Sequence, residues 1–152
     1  MNLSDQEKAL LREIQRDASL SVTDLAERVG MAQSTAWRRL QEFENQGVIR
    51  GRVALLDPAK VDAGFCVFAN ITLGDHSEEA VAAFASLVKN HSEIQECHKL
   101  TGSADYVLKI RTRDVEEYEN FMTHNLLRNP FVSAVSSSVS LKQLKSTTEL
   151  PL

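Results

Sequence analysis

The sequence has little cysteine, no long apolar run and no surplus of positive charge. Two cysteines, Cys66 and Cys97, are too few for a disulfide framework, and both fall in apolar, strand-like segments. Buried, reduced thiols in a cytoplasmic protein fit that pattern. No apolar stretch approaches the roughly 20 residues that a membrane-spanning helix needs. The opening residues, Met-Asn-Leu-Ser-Asp-Gln-Glu-Lys, lack the basic and apolar regions of a secretory leader. His76, His91, His98 and His124 are scattered without metal-ligand spacing. Cys97 and His98 are adjacent, but neighbours on a strand point to opposite faces. No nucleophile elbow, phosphate loop or dinucleotide fingerprint occurs, so the expectation is a non-enzyme without cofactor or metal.

What is present is a chain of 152 residues, 43% hydrophobic and 25% charged, enough for one ordinary domain or two small ones. The net charge of −4 counts mildly against nucleic acid as a partner. Its distribution weakens that objection. Residues 1–57 hold eight Lys/Arg against nine Asp/Glu, and residues 58–152 hold nine against twelve. Between Ala36 and Arg52 stand Arg38, Arg39, Arg50 and Arg52, against Glu42 and Glu44. DNA needs positive charge where its phosphates lie, not over the whole protein.

The spacing predicts three helices in the first fifty residues. Ser4 with Glu7 is a capping box, followed by Leu10, Leu11, Ile14 and Ala18 on one face. Ser21 and Asp24 open a second helix with Leu25, Ala26 and Val29 on its apolar side, and Gly30 suits its end. A third runs from about Gln33 to Gln46, buries Ala36, Leu40 and Phe43, and stops at Gly47. This is a helix-turn-helix pattern. Arg50 to Leu56 reads as a strand or extended linker, and Asp57-Pro58 as a break.

The second half reads β-α-β-β-α-β. Phe65 to Leu73 alternates as a strand, Ser77 caps a helix facing inward through Val81, Phe84, Ala85 and Val88, and Ile94 to Leu100 is a strand. Asp105 to Thr112 is another, Asp114 opens a helix with Val115, Tyr118, Phe121 and Met122 inward, and Val132 to Leu144 supplies the last. The expected fold class is α+β: an N-terminal winged or plain helix-turn-helix domain (1–50), a linker (51–63) and a ferredoxin-like domain (64–152). Both helices would cover one sheet face. Phe68 or Val107 on the other would favour self-association.

Those elements, in that order, resemble the leucine-responsive regulatory protein (Lrp/AsnC) family of prokaryotic transcription regulators. The resemblance rests on LAERVGMAQSTAWRRL with ENQGVIRG, ALLDP, IQECHKLTGSADYVLKI, DVEEYENF and LKQLKSTTELPL. It departs at Met31-Ala32, where the family usually has Leu-Ser and hence a hydroxyl cap; Ser34 or Gln33 could serve instead. It departs also at Gly51-Arg52, where Gly-Tyr is common, and at Ala18-Ser19, where Gly-Arg is frequent. The resemblance implies binding to double-stranded DNA and to an amino-acid effector, and a homodimer or larger homo-oligomer such as an octamer.

Candidate DNA contacts are Gln33, Ser34, Thr35, Trp37, Arg38, Arg39, Gln41, Arg50 and Arg52. Arg38 can pair bidentately with guanine, and Gln33 or Gln41 with adenine. Ser34 and Thr35 suit phosphate or a thymine methyl. Arg39, Arg50 and Arg52 suit phosphates, which position without specifying. Trp37 fits either a DNA-facing place or packing against the first helix. In the second domain, Thr101, Gly102, Ser103 and Ala104 offer backbone amides to a carboxylate, and Asp105 could hold an ammonium. The family's effector-response positions map onto Lys99, Asp105, Val115, Ser138, Val139 and Ser140. Lys99 is charged where leucine responders are apolar, and Ser138 replaces a common Tyr, which points to a polar or acidic effector. Two other classes stay open: a metabolite-binding oligomer whose helices bind protein, and a small ferredoxin-like enzyme. A steep salt dependence of DNA affinity would count against the first, and turnover abolished by Asp105→Asn would support the second.

Overall fold

Ser4 and Ser21 start the first two helices in the computed structural model, which describes residues 3–152. The first compact unit runs to Leu55 and takes in Leu144–Leu152. It contains α1 (Asp5–Arg16), α2 (Val22–Val29) and α3 (Gln33–Asn45). Each serine accepts from the third helical backbone amide while that residue's carboxylate, Glu7 or Asp24, accepts from the serine's own backbone. Such caps contribute about 1 kcal/mol each. Gly30 ends α2 with φ of 65°, a left-handed conformation that costs a residue with a Cβ. Ala32, at the start of α3, makes no capping hydrogen bond, and neither Gln33 nor Ser34 takes its place.

The core of this unit is Leu10, Leu11 and Ile14 of α1, Leu25 of α2, and Leu40 and Phe43 of α3. Met31 and Ile49 pack at its edge. Ala18 was expected on this face but is exposed, because Asp17 ends α1 by accepting the Ser19 amide and hydroxyl. Leu144–Leu152 has no regular structure and lies along α1. There the Gln15 amide donates to the Leu150 carbonyl and accepts its N–H, both at 2.9 Å. Arg16 pairs with Glu149 at 2.9 Å, and Arg12 donates to the Leu152 carbonyl. The sequence boundary put these residues with the second domain; the pairing with α1 groups them with the first. Residues 50–57 form no strand, so the helical unit has no β wing among the described residues.

The second unit, Leu56–Gln143, is one antiparallel sheet with two helices. A single 3-10 turn, Pro58–Lys60, precedes β1 (Phe65–Leu73), α4 (Glu78–Asn90), β2 (Ile94–Lys99), β3 (Tyr106–Thr112), α5 (Val115–Phe121) and β4 (Val132–Val139). Strand order is β2-β3-β1-β4, the ferredoxin-like arrangement. Val67, Ala69, Ile71 and Leu73 of β1 join Leu108 and Ile110 of β3 and bury against Phe84, Tyr118, Phe121 and Leu126. The alternate residues of β1 (Phe68, Asn70, Thr72) lie on the face without helices, and Phe68 stays 41% exposed.

The second unit departs from the sequence pattern in three places. Val81 and Ala85 do not lead the inward face of α4; Ala80 and Phe84 do, with Leu87 and Val88 beside them, while Ala85 is exposed. Val115 is 62% exposed, since it occupies the first position after the Asp114 cap and the buried stripe begins a turn later at Tyr118. The last strand stops at Val139, not Leu144, and the chain then leaves the sheet.

Candidate nucleic-acid face and ligand groove

Helix α3 is held from one side only. Ala36, Leu40 and Phe43 are buried, and the remaining faces carry polar and aromatic groups. Gln33, Ser34, Trp37, Arg38 and Gln41 are exposed, as are Arg50 and Arg52 beyond the helix; Thr35 and Arg39 are half-buried. Trp37, the sole tryptophan, is 57% exposed and therefore not part of the core.

Carboxylates accompany most of these cations. Arg38 pairs with Glu42 at 3.0 Å, and Arg39 with Glu42 at 2.7 Å and with Glu7 at 3.3 Å. Arg52 pairs with Glu44 at 2.8 Å, and Gln41 donates to Glu44. Hydrogen bonding to Glu42 raises the Arg39 guanidinium above its ordinary value, so it stays charged. Arg50 alone of the four arginines has no carboxylate partner among the described residues. Ion pairs this exposed are weak and exchangeable, so a phosphate or base can compete for the guanidinium. Their spacing is legible in the sequence, since residues three or four apart share a helix face.

On the helix-free face of the sheet lies a groove of about 430 Å³. Leu100, Thr101, Gly102, Ser103 and Ala104 form one wall, Asn70 and Thr72 the β1 floor, and Ala134, Val135 and Ser136 the β4 side. Register brings the last set in: Asn70 lies opposite Ser136 and Thr72 opposite Ala134. Gly102 has φ of 139°, which only glycine adopts without strain. The Thr101–Ala104 loop is legible in the sequence, whereas Asn70, Thr72, Leu100, Ala134, Val135 and Ser136 join it only in the fold. Strand pairing, which local pattern does not reveal, was the missing signal.

Asp105 anchors the loop. Its backbone N–H donates to the Ile71 carbonyl, and its carbonyl accepts from Leu100. One carboxylate oxygen accepts the Leu73 N–H at 2.7 Å, and the other meets His76 Nε2 at 2.8 Å. These bonds, the Leu73 amide first and His76 next, hold the carboxyl below its ordinary range. Both oxygens are thus engaged within the chain, and His76 is a partner the sequence did not single out. Lys99 is exposed at the end of β2. Ser138 faces the free side opposite Phe68, Val139 pairs with Val67, and the Ser140 N–H donates to the Cys66 carbonyl. Neither these residues nor Val115 line the groove. Cys97 packs at the core edge, where burial pushes its thiol up, whereas His98 turns outward to Glu96. Among the described residues, no His, Cys, Asp and Glu group could hold a metal ion, and no helix is long and apolar enough to cross a membrane.

Comparison with known proteins matches both units. Residues 3–50 match a family described as winged helix-turn-helix DNA-binding, and residues 66–150 the Lrp/AsnC ligand binding domain. The chain is 33% identical over 150 residues to the transcriptional regulator AzlB of Bacillus subtilis, covering 99% of this chain and 96% of that one. Among solved structures, a transcriptional regulator of Neisseria meningitidis in complex with L-Met superposes with a TM-score of 0.94 at 32% identity, covering 99% and 97% of the two chains. An AsnC family regulator from Agrobacterium tumefaciens gives 0.93 at 38% identity, covering 98% and 97%.

Proposed function

We propose that this chain, which belongs to the Lrp/AsnC family, reads double-stranded DNA with α3 and couples that reading to a free amino acid in the sheet groove. It is a DNA-binding transcription regulator with a ligand-binding domain. The observation that carries the proposal is the single-sided anchoring of α3. Three buried side chains fix the helix while Gln33, Ser34, Trp37, Arg38 and Gln41 stand free of the core. A recognition helix meets base edges with its N-terminal part. Arg38 reads guanine, Gln33 and Gln41 suit adenine, and Arg39, Arg50 and Arg52 take phosphates.

The groove suits a small zwitterion. The Thr101–Ala104 loop would offer its backbone amides to a carboxylate, and Asn70, Thr72, Thr101, Ser103 and Ser136 line the groove with polar groups. That lining favours a polar or acidic effector over a purely aliphatic one. The neisserial relative was solved with L-Met, which supports an amino acid as the class. The exposed Phe68 on the helix-free face supports pairing with a second copy. A dimer or larger assembly would then present two recognition helices to half-sites about one helical turn apart. A regulator of this kind works in the cytoplasm.

Selection of bound duplexes from a random pool, with and without a mixture of the twenty amino acids, tests the whole reading. The expected result is an enriched, near-palindromic site whose recovery changes when the mixture is present. No enrichment would refute DNA reading, and enrichment indifferent to the mixture would refute the sensor.

A further inference from the structure

Leu144–Leu152 is held on α1 by polar groups alone. Gln15 accepts the Leu150 N–H and donates to the Leu150 carbonyl, both at 2.9 Å, as a neighbouring strand would. Glu149 pairs with Arg16 at 2.9 Å, and Arg12 donates to the Leu152 carbonyl at 3.3 Å. Every residue from Leu141 to Leu152 is exposed, Leu144 and Leu150 among them, and none joins the core of the helical unit. The segment therefore adds no apolar burial, the ordinary reason for a covering segment to stay docked. Exposed polar bonds exchange with water at little cost, so the clasp opens and closes while the helices stay folded.

The clasp stands between the groove and the helices. Ala134, Val135 and Ser136 of β4 form one side of the groove, and the sheet holds the chain as far as Ser140, whose N–H donates to the Cys66 carbonyl. Only Leu141, Lys142 and Gln143 separate Ser140 from Leu144–Leu152. Beyond the clasp, α1 shares a core with α3 through Leu10, Leu11, Ile14, Leu40 and Phe43, and Glu7 pairs with Arg39. The chain passes between the units twice, after Leu55 and after Gln143. With the clasp open, only the first crossing ties the helical unit to the sheet; with it closed, both do. Coupling needs an element with two arrangements that both sites bias. Resting on the groove as the effector site and α3 as the DNA reader, we propose that this clasp is the element through which the effector changes DNA affinity. Ligand against β4 shifts the balance between closed and open, and that balance sets how firmly the recognition helices of an assembly are held for two half-sites. Plain cover is the competing account, in which the clasp stabilises α1 and has no part in the response.

Two variants of the full chain open the clasp from opposite sides. Gln15→Ala removes the partner on α1 and puts the strongest helix former in its place. Leu150→Pro removes the N–H that Gln15 accepts. Anisotropy titrations with a selected duplex, with and without an equimolar mixture of the twenty amino acids, give the response; calorimetry with the same mixture and thermal melts accompany them. In the parent the mixture should change DNA affinity about fivefold or more. In both variants that change should shrink below about twofold, while the duplex still binds and the heat of amino-acid binding persists. Variants that melt lower or bind DNA more weakly yet keep the parent's response would overturn the proposal and leave the clasp as cover. A response lost in only one variant, DNA binding lost outright, or amino-acid heat lost with the response would each overturn it too. A parent that responds to no amino acid would remove the sensor reading, and the proposal with it.

Discussion

Trp37 offers the most direct measurement of where α3 goes. It is 57% exposed, although an indole is costly to leave in water. A tryptophan side chain can bury up to about 250 Å², so about 140 Å² is open to a partner. If DNA covers half of that, about 70 Å² leaves water, contributing about 1.8 kcal/mol at 25 cal/mol per Å². Trp37→Ala should therefore weaken binding about twentyfold per protomer, while Trp37→Phe, which keeps most of the apolar area, should lose only a few-fold. Because Trp37 is the chain's one tryptophan, its emission reports this contact without a label. Titration of the parent with its selected duplex should quench and shift that emission, and anisotropy should give the affinities of the variants. Unchanged emission at saturating DNA, with Trp37→Ala binding within twofold of the parent, would refute the placement of this helix face against DNA.

Arg38→Ala should cost about 1–3 kcal/mol on the selected site and little on random DNA, whereas Arg52→Ala should weaken both alike; competition titrations separate the two. Gly102→Val forces a side chain into a φ of 139°, and should cost roughly 1–3 kcal/mol in thermal unfolding, abolishing effector heat in calorimetry while DNA affinity without effector persists. Asp105 has its carboxyl held low in the folded chain, so the folded state binds that proton more weakly than the unfolded one. Its stabilisation is present above the ordinary carboxylate range and fades as pH falls through the depressed value. Melting temperatures from pH 7 downward should therefore fall less steeply for Asp105→Asn than for the parent.

Local rules made much of this molecule readable. The two capping boxes, the Gly30 stop and the stripe of Ala36, Leu40 and Phe43 each depend on residues within four positions of one another. Alternation gave the buried side of β1 for the same reason. What escaped depends on distant partners. Val115 has helical spacing with Tyr118, but where a buried stripe begins depends on what lies beneath it. The groove draws Asn70 and Ser136 together through strand pairing, and His76 reaches Asp105 across 29 positions. Trp37 was ambiguous because an aromatic residue on a helix carries the same signal whether it packs or waits for a partner.

The clasp of Gln15 on Leu150 has a consequence for how the protein is made. The helical unit is discontinuous: its two pieces are separated by the whole of Leu56–Gln143. A ribosome therefore emits α1, α2 and α3 first and must finish the sheet before the segment that lies on α1 can arrive. At about 5–20 residues per second the delay is several seconds. The three helices spend it without the cover of residues 144–152. An isolated fragment ending near Leu55 would keep α1 uncovered, and supplying residues 144–152 as a separate peptide would restore that cover.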